Sequence, residues 1–182
     1  MSQVSADWID DVTELIFESS FMTLATADGD GVPWVSPVEF LCDKDLRFYW
    51  TSVLDARHSR NVRVNPRAAL SIYDSAYVAM DGQPTALYVE GSVEEFHRSD
   101  LEGLLPSFER WIAWRDTGRT TPRARRGDPD DADSPWRLYR LTPTTLYALN
   151  PGEHPEHGWP ASWRVPVDLA DRFSRAYRSR LA

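Results

Sequence analysis

At 182 residues the chain is long enough to bury a core without staples, and a formal charge of −8 argues against non-specific nucleic-acid binding. The single cysteine, Cys42, excludes an intramolecular disulfide and fits a reducing cytoplasm, and no apolar run suits a membrane span. The start of the chain lacks the charged and apolar regions of a signal peptide, so a single cytoplasmic domain is expected.

Apolar residues at Trp8, Ile9, Val12, Leu15 and Ile16 have helical spacing and predict an amphipathic helix over 7–19. Phe21–Ala27 then reads as a strand, and Asp28-Gly29-Asp30-Gly31 is a turn signal that returns the chain as a second strand, Val32–Leu41. A turn at Cys42–Asp45 leads to an aromatic third strand, Leu46–Ser52. Asp55 can cap a short helix that ends before Pro66. Arg67–Asp74 and Ala86–Phe96 predict the fourth and fifth strands, completing a core over 21–96, and Gly91 inside the fifth marks a bulge or a close backbone approach.

Ser99 with Glu102 forms a capping-box pattern for a helix over 99–115. Residues 117–134 read as a surface loop in which Arg123, Arg125 and Arg126 are offset by the acidic run that follows. A sixth strand is predicted over 136–149, interrupted at Pro143. The C-terminal extension, 150–182, combines a Pro- and Gly-rich stretch, a short extended piece and a terminal helix. Six strands with few helices predict a mainly β fold, an antiparallel β-barrel with flanking helices, with a sandwich as the competing architecture.

The pattern that carries chemistry starts at Arg57-His58, in the first turn of a helix that follows a strand. A helix start offers backbone N–H groups and partial positive charge, and Arg57 adds a planar fork suited to phosphate. Thr51 and Ser52 end the preceding strand with hydroxyls, Trp50 before them. A carboxylate cap at Asp55 would oppose an anion there. The residues alone therefore leave two readings open, a phosphate site and an ordinary capped helix with solvated arginines. A second segment, Trp34-Val35-Ser36-Pro37-Val38, holds a proline that implies an edge or interrupted strand. That leaves a further choice between ligand contact and a bulge that only curves the strand.

The runs Phe21–Thr26, Gly31–Val38 and Phe48–Ser52, with the segment Ala56–Ser71, resemble the flavin-binding split-barrel family of pyridoxamine 5′-phosphate oxidase. The most specific part is Arg57-His58-Ser59-Arg60-Asn61-Val62, followed by Asn65-Pro66-Arg67 and an apolar strand. The resemblance implies a six-stranded antiparallel split barrel that forms a homodimer, with FMN in a cleft between subunits. It places Arg57 and His58 at the FMN phosphate, Thr51 and Ser52 beside it, and Trp34, Val35, Ser36, Pro37 and Val38 along the flavin ring. Glu39 stands near a position where the true oxidase has Lys, and an acid there would repel a phosphorylated substrate. No counterpart of the oxidases' C-terminal Arg, Leu, His, Arg motif occurs between Pro151 and Ala182. The resemblance thus implies a flavin-dependent oxidoreductase whose substrate is not identified. A haem- or flavin-binding storage, sensing or degrading protein and a deazaflavin (F420) reductase are the alternatives.

Other signals are weaker. His154-Pro155-Glu156-His157, with Glu153 before it, has metal-ligand composition but sits in a Pro-rich stretch, so no metal site is expected. His97 reads as a surface or capping residue, and Cys42 has no nearby His to make it a nucleophile. Trp111 and Trp114 share one helix face and are expected to pack on the barrel.

Overall fold

The computed structural model describes residues 7–74, 85–96, 103, 105–115, 134–150, 154–158 and 163–181. Helix α1 (Asp7–Glu18) turns Val12, Ile16 and Phe17 fully inward, the stripe its apolar spacing predicts. It leads into strand β1 (Phe21–Ala27), whose Met22 and Leu24 face the core while the intervening residues are less buried. Asp28 closes the following turn by accepting from the Asp30 and Val32 amides at 3.1 and 2.9 Å, and Gly31 takes the left-handed φ of +82° that this turn requires.

The predicted second strand is two. β2 (Pro33–Glu39) pairs with β1, and after Phe40 the chain continues as β3 (Leu41–Cys42), which pairs with β4 (Phe48–Val53). One segment thus links the two ends of the sheet, which is what curls it. Leu46 lies in the turn before β4 rather than in the strand, with φ +60°. The turn is held by the buried Asp43 carboxylate, which accepts from the Asp45 and Arg47 amides and the Tyr49 hydroxyl at 2.9–3.0 Å. Helix α2 (Arg57–Val64), β5 (Arg67–Tyr73), β6 (Ala86–Phe96), α3 (Leu105–Arg115), β7 (Trp136–Asn150), β8 (Trp163–Pro166) and α4 (Ala170–Leu181) complete the order.

The strands form one antiparallel sheet in the order β2-β1-β5-β6-β7-β4-β3, with β8 added to β7. Its six long members are the six predicted strands, and the curled sheet with helices against it is a split barrel. Pro106 is the second residue of α3, where its missing N–H goes unneeded. The expected cap at Ser99 and Glu102, and the loop before Ser134, lie outside the described residues. Among the described residues, no helix is long and apolar enough to cross a membrane.

Gly91 is the tightest point of the sheet. The β6–β7 register shifts there, with Glu90 opposite Thr145 and Gly91 opposite Pro143. A Cβ at Gly91 would lie 2.5 Å from the Thr142 carbonyl oxygen and 2.7 Å from Leu141 Cδ2. Backbone cannot swing aside as a side chain can, so Gly91→Ala is expected to cost about 1–3 kcal/mol. The check is the urea midpoint, which should fall with the slope unchanged.

Candidate functional site

β4 hands the chain to α2 through a tight turn, with the Ala56 amide donating to the Val53 carbonyl at 3.1 Å. The expected cap at Asp55 does not form. Ala56 occupies the cap position in extended conformation and makes no side-chain cap bond, and no acidic residue stands in the helix's first turn. Asp55 sits one residue too early and exposed, and its carbonyl accepts from the Arg60 guanidinium. The first-turn amides of α2 therefore keep their donor capacity and positive dipole end without an internal carboxylate over them.

The inner face of α2 buries Ser59, Asn61 and the apolar Val62, with His58 half-buried beside them. His58 reaches across the seam between β2 and β4, two strands that are not ladder neighbours. Its Nδ1 lies 3.0 Å from Ser36 Oγ on β2 and its Nε2 lies 2.7 Å from Ser52 Oγ on β4. Ser36 Oγ also accepts from the Trp34 indole N–H at 2.9 Å. A neutral imidazole has one donor and one acceptor nitrogen, so the bonds form a continuous chain in either tautomer. When Ser36 donates to Nδ1 and Nε2–H donates to Ser52, the Ser52 hydrogen is left to donate outward. One turn on, Asn61 donates from Nδ2 to Thr26 Oγ1 on β1 at 3.0 Å, both residues buried. Asn61 is thus a positioning residue that the sequence reading left without a role. Its spacing of three from His58 on one helix face was the available signal.

Arg57 meets a different partner from His58. Its guanidinium lies over the Trp34 ring, 4.6 Å from the centroid, half-buried at the site margin. Five of the ten expected site residues, Trp34, Ser36, Ser52, Arg57 and His58, therefore meet in one place. Val35 and Pro37 are exposed on the same edge strand and Val38 is buried beneath it. Pro37 pairs with Thr23 in a continuous β1–β2 register, which makes β2 an edge strand rather than a bulged one. Thr51 is half-buried on β4. Trp50 is core: 2% exposed, its ring stacks on Tyr139 at 5.6 Å.

Burial pushes the His58 pKa below its ordinary 6.5, so the ring is neutral at pH 7. Below about pH 6.5 the unfolded chain takes up a proton that the folded chain resists, so this residue's contribution is full above that pH and is lost as pH falls toward the folded value. His58→Gln should be less destabilised than the parent on going from about pH 7.5 to about pH 5.5, read as the change in urea midpoint. An identical loss in both proteins would contradict it.

The family model for pyridoxamine 5′-phosphate oxidase matches residues 9–149. A pyridoxine/pyridoxamine 5′-phosphate oxidase of Cupriavidus necator is 30% identical over 156 residues, an alignment covering 76% of this chain and 71% of that protein. Among solved structures, a heme-binding protein from Mycobacterium smegmatis superposes with a TM-score of 0.61 at 14% identity, covering 94% of this chain and 62% of that one. An F420 reductase gives 0.51 at 22% identity, covering 73% and 93%. At those identities the two structures share the fold with this protein, while the sequence matches carry descent. The chain belongs to the pyridoxamine 5′-phosphate oxidase family.

Proposed function

We propose that this protein binds FMN at the start of α2 and works as a flavin-dependent oxidoreductase on a small-molecule substrate. The observation that carries the reading is the uncapped first turn of α2 beside the Arg57 guanidinium. Free amide donors, a helix dipole and a planar cation in one place suit a phosphate, and an internal carboxylate that would repel it is missing from that turn. In this reading Arg57 and the amides hold the phosphate. His58 has both nitrogens occupied, so it fixes α2 across the seam and hands a hydrogen to the anion through Ser52. Thr51 lies beside the phosphate. Trp34, Val35 and Pro37 offer an exposed surface to the ring, and the edge of β2 offers backbone groups to its heteroatoms.

When bound, the flavin supplies the hydride chemistry, and the chain's residues hold and orient it. Phe21, Val32, Trp34, Val35, Val64 and Tyr73 are large, exposed and apolar on β1, β2, α2 and β5 and the turn between β1 and β2. They support a homodimer that would close the ring side of the site. A soluble cytoplasmic setting fits this reading. The absorption spectrum of the purified protein, before and after incubation with FMN, tests it. A flavin band that survives gel filtration is expected. A Soret band would overturn the reading in favour of haem, and FMN lost on the column with a deazaflavin retained would overturn it in favour of F420.

A further inference from the structure

A second cluster lies far along β7 from the seam. β7 pairs with Ser52 through Arg137 near its start, whereas its end, Asn150, pairs with Trp163 of β8. Between those two strands His154, Pro155, Glu156, His157 and Gly158 form a closed turn. The Gly158 amide donates to the His154 carbonyl at 2.9 Å, and Gly158 adopts φ +68°. The turn stacks the two imidazoles, 4.4 Å between centroids and 17° between planes. It also sets the His154 ring edge to face against Trp163, 5.4 Å away. One donor atom each from His154, Glu156 and His157 lies within 4.8 Å of the others.

We infer that this turn is a binding site for a divalent cation of the zinc class, with His154, Glu156 and His157 as its ligands. Two imidazoles and a carboxylate are the donor set that borderline ions take, and three protein ligands leave one tetrahedral position for water. A ring nitrogen takes an ion in the plane of its own ring, so the two stacked imidazoles must swing apart by side-chain rotation to face a common point. A triangle of 4.8 Å sides puts its centre about 2.8 Å from each donor, against about 2.1 Å for zinc to imidazole, so side-chain rotation closes the gap. All three ligands come from four consecutive residues in a formed turn, so no long loop has to be closed to assemble them. The cost is small too. The Glu156 amide donates to His154 Nδ1 at 3.2 Å, and an ion on this ring breaks that long bond whether it takes Nδ1 directly or takes Nε2 and shifts the ring proton to Nδ1. The Pro-rich sequence of this stretch argues against a site here. The turn and the Trp163 contact give it order. An ion there would fasten the turn onto the β7–β8 pair, away from the flavin site.

The test is calorimetric titration of the full-length, chelator-stripped protein with zinc chloride, alongside cobalt(II) absorption to report nitrogen and oxygen ligands. One equivalent should bind. His157→Ala and Glu156→Gln should each weaken it by more than about 10-fold, the loss that even an outer-shell change produces. FMN binding should be unchanged in both variants, which separates this site from the flavin reading. Equal zinc affinity in parent and variants would place the ion elsewhere on the protein and overturn the assignment. The absence of a saturable isotherm in the parent would overturn it as well.

Discussion

Trp111→Ala should lower the stability of this protein by about 3–5 kcal/mol, the cost of emptying a large aromatic site in a core. Trp111 is fully buried and is the point where three helices meet. Its ring stacks on Phe17 of α1 at 5.1 Å and lies 6.4 and 5.7 Å from Phe173 and Tyr177 of α4. Phe17 and Phe173 also stack on each other at 5.0 Å, so the cluster is closed and its members cannot each move into the gap. The ion pairs that tie α1 to α4, Asp10 with Arg172 and Glu14 with Arg180, lie at the surface and cannot make good the loss. With domains of this kind stable by only about 5–15 kcal/mol, the variant gives up a large part of its margin. Urea unfolding with an unchanged slope measures it. A loss below about 1 kcal/mol would mean that the three helices do not depend on this ring.

Arg57→Ala should weaken FMN binding by roughly 1.5–3 kcal/mol, the worth of a hydrogen bond to a charged group, which is about 10- to 150-fold in affinity. The variant is informative because Arg57 holds up none of the fold. Its guanidinium rests on Trp34 at the margin of the site, whereas α2 is anchored by His58 to β2 and β4 and by Asn61 to β1. Stability should therefore stay close to that of the parent. His58→Ala behaves differently. It cuts the bridge across the seam, leaves the buried Ser36 and Ser52 hydroxyls without their ring partner, and should lower stability and FMN affinity together. A fluorescence titration of both variants separates the residue that touches the anion from the residue that positions it.

The strands were legible in the sequence because their burial alternates. Met22, Leu24 and Thr26 are buried on β1 while the residues between them are less so, and the Asp28–Gly31 turn has one geometry open to it. Two local signals misled. Leu46 is apolar and precedes aromatic strand residues, yet the Asp43 carboxylate holds it at positive φ, a constraint set by a neighbouring side chain. Asp55 has the residue type of a helix cap, yet the chain enters α2 one residue later. The site was half legible. Arg57 and His58 could be singled out as a pair, but they take different partners, Arg57 the Trp34 ring and His58 the two serines across the seam. That split depends on Ser36, 22 residues before His58, being brought beside Ser52 by the curl of the sheet, and no local pattern encodes it. Trp50 reads from the sequence like its neighbours at the site and shares a strand face with Ser52, but it lies one residue pair further from the α2 end of β4, where its ring is buried against Tyr139.

The central claim is that a phosphate docks where β4 gives way to α2. It is tested most directly by comparing FMN with riboflavin, which differ only in that phosphate, by fluorescence titration of the parent and Arg57→Ala. The parent should prefer FMN by at least about 10-fold, and the variant should lose most of that preference while its riboflavin affinity holds. An equal preference in both proteins, or no preference in the parent, would contradict the account.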